Sequence, residues 1–128
     1  MFSRGGNSQS SLAKAGIGLE AAELAERITV PVVTLDSYVA ENGLPQPRWV
    51  KIDAEGAEIC ILEGSVQLLA SEANILCELH PYAWPDFGKT FVALQNLVAA
   101  SGRRIRYIDE TAAFQGEPRY GCVLLERL

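Results

Sequence analysis

The sequence predicts an α/β domain, and three features carry that prediction. β-branched and apolar runs alternate with stretches of helical period, the final two runs are separated only by a connection containing Gly116 and Pro118, and the run RWVKID passes directly into charged residues at a helix start. Strands that alternate with helices form a sheet that is parallel for most of its width, and a closing pair joined by a turn is antiparallel. At 128 residues the chain has the length of one ordinary domain, enough to bury roughly two thirds of its unfolded surface. No internal repeat or linker divides it.

Met1 to Leu12, MFSRGGNSQSSL, is rich in Gly, Ser and Asn, has no hydrophobic period, and reads as a loop or frayed end. Its glycines do not make a phosphate cradle, because such a loop follows a strand and opens a helix. Leu19 to Arg27 consists of strong helix formers and predicts a short helix. Residues 1–27, partly flexible, are thus set apart from a folded unit over 28–128. Ile28 to Asp36, ITVPVVTLD, is β-branched and reads as a strand in which Pro31 marks an edge or a bulge. Asp36 offers the N-cap of a brief helix that stops at Asn42 and Gly43. Arg48 to Asp53 is the next strand, and a helix follows from Ala57 toward Leu69, interrupted at Gly64. Asn74 to His80, NILCELH, is a third strand closed by Pro81. Phe91, Leu94, Leu97 and Val98 form the core stripe of a helix over 88–101 that Gly102 ends. Arg104 to Asp109 and Tyr120 to Leu128 are the closing strands.

The charge balance narrows the partners. A net charge of −5 argues against a nucleic-acid backbone, which needs a basic face. Only Arg103, Arg104 and Arg106 cluster, and they are expected on the exposed side of one strand. The three cysteines, Cys60, Cys77 and Cys122, are far apart and lie in apolar runs, so they read as small core residues rather than a metal set or a disulfide framework. No window approaches the run of about 18 apolar residues that a membrane span needs, and no N-terminal apolar h-region follows a basic start, so neither a span nor a secretory leader is expected. The expected compartment is the cytoplasm.

Chemistry concentrates where two strands end. Residues two apart share a strand face, so Trp49, Lys51 and Asp53 point one way and Val50 and Ile52 the other. Ligands of open α/β sheets bind beyond the carboxyl ends of the strands, which places Asp53 at the rim. The same reasoning puts Glu78 and His80 at the rim of the next strand. In matching register Asp53, Glu78 and His80 converge, with Lys51 one step deeper as a counter-charge. Glu55 and Glu58 fall in the first turn of the following helix, where negative side chains are favoured by the helix end. Gly56 supplies a tight strand-to-helix turn. Tyr82 and Trp84 either line an apolar pocket wall or plug the end of the sheet. Asp53, Glu78 and His80 are also ligand types for a divalent ion, but they have no local ligand spacing, and no metal is expected.

The blocks VVTLDSYV, VKIDAEGAEICILEGSVQLL and ILCELHP, in that order, resemble the signature blocks of the FkbM-type methyltransferases, and NSQSSL is similar to a serine-containing loop that precedes them there. The resemblance implies an S-adenosylmethionine-dependent enzyme on a Rossmann-like class I sheet, mostly parallel with a C-terminal antiparallel strand pair. It implies O-methyl transfer to a hydroxyl of a sugar, lipid or other small molecule. It also places Asp53, His80 and Glu78 at the catalytic site and Asp53, Glu55 and Gly56 at the cofactor, with His80 or a rim carboxylate as the base for the acceptor proton.

One departure qualifies these implications. A full member opens with a strand, a glycine-rich turn and an acidic residue that hold the cofactor, and none of these precedes ITVPVVTLD. The chain therefore resembles the C-terminal portion of such an enzyme, without the N-terminal cofactor-binding strands. The Val50 to Asp53 strand should then expose an unpaired edge, to be covered by the Pro31 segment, a second copy, or a complementing chain. The competing reading is a non-catalytic α/β binding or assembly module derived from such an enzyme.

Overall fold

The computed structural model describes residues 2–3, 10–11, 26–27, 29–110 and 116–128. Strands β1 (Phe2–Ser3), β2 (Ser10–Ser11) and β3 (Glu26–Arg27) pair antiparallel in the order β2-β1-β3. The loop expected over Met1 to Leu12 is thus corrected at β1 and β2. The helix expected over Leu19 to Arg27 is corrected at its last two residues, whose backbone pairs with β1. The remainder of both segments lies outside the described residues.

The strand expected over Ile28 to Asp36 does not form among its described residues. Residues 29–34 belong to no sheet, and the segment ends in helix α1 (Leu35–Glu41). Pro31 cannot donate to a ladder, and the extended Thr34 is the N-cap in place of Asp36, its side chain accepting the Ser37 N–H. The helix stops at Asn42 and Gly43 as expected, Gly43 taking the left-handed φ of 60°. Asp36 caps a different helix: its carboxylate accepts the N–H of Gln67 at 2.8 Å and of Leu68 at 3.4 Å.

Four longer strands build the main sheet. They are β4 (Trp49–Ile52), β5 (Asn74–Leu79), β6 (Arg103–Tyr107) and β7 (Gly121–Arg127), in the order β4-β5-β7-β6. Strand β4 runs parallel to β5 with Ile52 beside Cys77, whereas β7 runs antiparallel to both β5 and β6. This corrects a sheet parallel for most of its width: one pairing is parallel, because β7 turns back into the gap between β5 and β6. The closing antiparallel pair is as expected.

Between the strands lie α2 (Glu58–Glu63), α3 (Val66–Ala70), a 3-10 helix (Pro81–Phe87) and α4 (Phe91–Ala100). Gly64 separates α2 from α3, the interruption read from the sequence. Thr90 caps α4 by accepting the Ala93 N–H. Strand alternation and the helix stripes meet in one core, where Ile52, Ile75, Cys77, Leu79, Val123 and Leu125 pack against Ile59, Leu62, Leu68, Leu94 and Val98. The opposite sheet face carries Trp49, Lys51, Glu78, Cys122 and Arg106, none of them fully buried.

Two further expectations change. Arg103 shares a face with Ile105 and Tyr107 and is buried. Its guanidinium donates to the Leu69, Ser71 and Leu125 carbonyls and closes the C-terminal end of α3. Arg104 and Arg106 are the members that reach outward, both to Glu126. Of the cysteines, Cys77 alone is fully buried, while Cys60 and Cys122 are half-buried, and all three are free thiols. Burial pushes each thiol pKa up, which disfavours the thiolate.

The cap that Asp36 supplies to α3 ties two helices distant in sequence. Asp36→Ala should lower stability by about 1 kcal/mol in urea denaturation. An unchanged midpoint would show that the interhelical cap contributes nothing.

Candidate functional site

The carboxyl ends of the parallel strands β4 and β5 lie side by side, and each continues into a short irregular turn. After Ile52 the chain runs through Asp53 and Ala54 to Glu55 and Gly56, which take positive φ values of 49° and 104°. A non-glycine residue in this region costs about 1–3 kcal/mol and persists only where its surroundings impose it. Gly56 is required twice over. A Cβ there would lie 2.5 Å from the Ala83 Cβ, and the φ itself disfavours other residues.

What imposes the turn is Glu58, the first residue of α2, which is fully buried. Its Oε1 accepts the Gly56 N–H at 2.7 Å and lies 2.9 Å from His80 Nδ1, while its Oε2 accepts the Trp84 Nε1–H at 2.9 Å. The expectation that Glu58 serves the helix end is corrected: its carboxylate turns inward and joins the strand-to-helix turn, the end of β5 and the 3-10 helix. Trp84 plugs the sheet end, stacked on Phe91 of α4 with ring centroids 6.3 Å apart.

His80, 3 % exposed, follows β5 directly. Its Nε2 faces Glu55, 3.6 Å from the carboxylate Oε2. Donor atoms of Asp53, Glu55 and His80 all fall within 4.8 Å of one another. The expected convergence therefore forms with Glu55 in the place foreseen for Glu78. Asp53 sits at the outer side of the group, bonded to Lys51 Nζ at 2.7 Å, and that contact raises the lysine pKa. Both side chains are well exposed, so the pair contributes little to stability.

Glu78 is half-buried on the same strand face and bonds the Tyr120 hydroxyl from β7's approach. That hydroxyl's pKa is pushed up to about 12, chiefly by the hydrogen bond to Glu78. The Tyr120 ring meets the His80 ring edge-on at 5.3 Å, and Tyr82 does so from another side at 5.8 Å. Burial raises the Tyr82 pKa, with Glu55 adding to the effect.

Sequence reasoning placed Trp84 at the sheet end but missed Tyr120 and the inward role of Glu58 as parts of the site. Glu58 stands between buried Ala57 and buried Ile59 at the inward start of α2. The arrangement offers one imidazole nitrogen held toward two carboxylates, an acid-rich rim, and aromatic walls. Such a rim suits hydroxyl donors and cationic groups. The Gly56 N–H goes to Glu58, and an added Cβ there would meet Ala83.

A family model described as the methyltransferase FkbM domain matches residues 2–105 of the 128. Comparisons with curated proteins and with solved structures give no match. No helix among the described residues is long and apolar enough to cross a membrane.

The Tyr120 to Glu78 bond has a pH signature. Its folded pKa lies above the ordinary phenol value, so the associated stability is complete below about pH 10 and is lost as pH rises through about 12. Alkaline titration followed by tyrosinate absorbance should show one phenol moving down toward its ordinary range in Glu78→Gln. An identical titration in both proteins would contradict the contact.

Proposed function

The chain belongs to the FkbM methyltransferase family, and on that premise we propose that it carries the acceptor side of an S-adenosylmethionine-dependent O-methylation. The observation that supports this most is the buried His80, held by Glu58 at the carboxyl ends of β4 and β5 with Asp53 and Glu55 beside it.

S-adenosylmethionine, when bound, supplies an electrophilic methyl group on a sulfonium centre. The residues at this rim fit such a group by their chemistry: Asp53 and Glu55 offer carboxylate oxygens to its cationic and hydroxyl groups, and Gly56 shapes the turn that presents them. On the acceptor, His80 takes the hydroxyl proton on Nε2 as the oxygen becomes the nucleophile. The imidazolium so formed lies between the carboxylates of Glu58 and Glu55, which neutralise it. Glu78, with Tyr120, borders the acceptor side. The acceptor we favour is a hydroxyl of a sugar, lipid or other small molecule. Alignment of the two reactants supplies most of the rate enhancement in reactions of this kind. The sheet order supports a Rossmann-like class I architecture, since β7 reverses between two strands of common direction.

A specific observation also favours an assembly role. Among the described residues β4 pairs on one side only, and Trp49 at its start is 65 % exposed. A groove of about 430 Å³, lined by Val32, Val33, Tyr38, Ala54, Cys60 and Ile61, opens beside the turn that follows β4. Strand addition along Val50 to Asp53, by a second copy or a complementing chain, would pair the edge and enclose the acid rim.

Calorimetric titration with S-adenosylmethionine and S-adenosylhomocysteine, with sedimentation of the same sample, tests both parts. Micromolar binding that weakens tenfold or more in Asp53→Ala, about 1.4 kcal/mol, is the expected result. No binding at millimolar cofactor by a sedimenting monomer would overturn the enzymatic reading for this chain alone. A dimer that binds nothing would favour the assembly module.

A further inference from the structure

The chain contains a single histidine, and how its ring is held goes beyond the family assignment. A carboxylate accepts hydrogen bonds and has no proton to give, so the 2.9 Å contact to Glu58 Oε1 requires the proton on His80 Nδ1. Glu58 cannot rotate away from this duty. Its two oxygens are engaged by the Gly56 N–H and the Trp84 indole N–H, donors fixed by a buried turn and a buried ring. Nor is the imidazole free to flip. It is 3 % exposed, and the rings of Tyr82 and Tyr120 stand edge-on against it at 84° and 63°.

We propose that Glu58 is the positioning residue of the site: it locks His80 in the Nδ1–H tautomer and thereby presents the Nε2 lone pair to the rim formed by Asp53 and Glu55. This rests on the reading of His80 as the base, and it assigns Glu58 a role distinct from contact with any ligand. The physical logic is that of a buried carboxylate orienting an imidazole, in which the acid holds the ring and the ring does the proton transfer. The choice of tautomer matters because the alternative, with the proton on Nε2, would turn a donor toward the acceptor hydroxyl and remove the imidazole as its base, leaving only the rim carboxylates Asp53 and Glu55 for that task. It would also set two acceptors, Nδ1 and Glu58 Oε1, against each other at 2.9 Å in a fully buried place, a closer opposition than the 3.6 Å between Nε2 and the partly exposed Glu55 carboxylate.

The test needs no cofactor and no acceptor, so it separates this proposal from the methyltransferase reading. Nitrogen-15 correlation spectra of the uniformly labelled chain, recorded over a pH series that includes the form with one ring proton, report the protonation of each imidazole nitrogen. With one histidine the assignment is unambiguous. The expected spectrum shows a protonated Nδ1 and a bare Nε2 in the wild type, and a shift toward the Nε2–H tautomer or an averaged ring in Glu58→Gln. A wild-type ring that is Nε2–H or freely averaging overturns the proposal, and so does a Glu58→Gln protein that keeps the wild-type pattern. Should Glu58→Gln fail to fold, Glu55→Gln decides the attribution. Retention of the Nδ1–H form supports Glu58 as the determinant, and its loss assigns the control to Glu55. A chain that binds no S-adenosylmethionine still gives one of these spectra, so failure of the enzymatic reading and failure of this one are told apart.

Discussion

The carboxylate of Glu58 is the constraint on which the rest of the structure depends. An ionised group with no access to water costs several kcal/mol unless its oxygens are satisfied within the protein. Here three donors come from three places: the turn after β4, the end of β5, and the 3-10 helix. Each donor is itself held elsewhere. Gly56 is pressed against Ala83, His80 continues β5, and Trp84 stacks on Phe91 at the start of α4. Placing one carboxylate thus fixes the relative positions of four elements, and it explains why a glutamate, Glu55, is tolerated in a left-handed conformation beside it.

Function follows from the same arrangement. Parallel strands bring their carboxyl ends together, and β4 and β5 are the one parallel pair of the main sheet. The acids at that rim would repel one another if all faced inward. The structure divides them instead: Glu58 is buried with its donors, Asp53 faces Lys51 and solvent, Glu78 binds Tyr120, and Glu55 faces His80 and Tyr82. The division gives each carboxylate a separate task, and one nitrogen of the single histidine is turned toward Glu55 at the rim. The β4 edge, paired on one side among the described residues, adjoins this rim, so anything that adds a strand there also changes access to it.

Much of this was legible in the sequence because local periodicity encodes it. Alternation in RWVKID and NILCELH gave β4 and β5 and put Asp53 and His80 at their ends, and the interruption at Gly64 and the stripe of α4 were equally plain. Pairing order was not legible, since nothing in the pattern of β7 says that it inserts between β5 and β6. The Pro31 segment misled because β-branched residues favour extended backbone whether or not a partner strand exists. Arg103 misled through the company it keeps, although its spacing from Ile105 and Tyr107 placed it on the buried face. Glu58 was hidden for a deeper reason: an acid in a first helical turn looks the same from sequence whether it faces water or a ring of buried donors.

Those two situations differ in energy, and the difference is measurable. Equilibrium urea unfolding of Glu58→Ala, followed by tryptophan fluorescence, separates them directly. Removing a buried acceptor that satisfies His80, Trp84 and Gly56 should cost about 3–5 kcal/mol, enough to bring a domain of this size near the limit of its stability. An acid that merely favours the helix end would cost about 0.3–1 kcal/mol. A loss within that smaller range, with the native fluorescence unchanged, would contradict the view that this carboxylate organises the site.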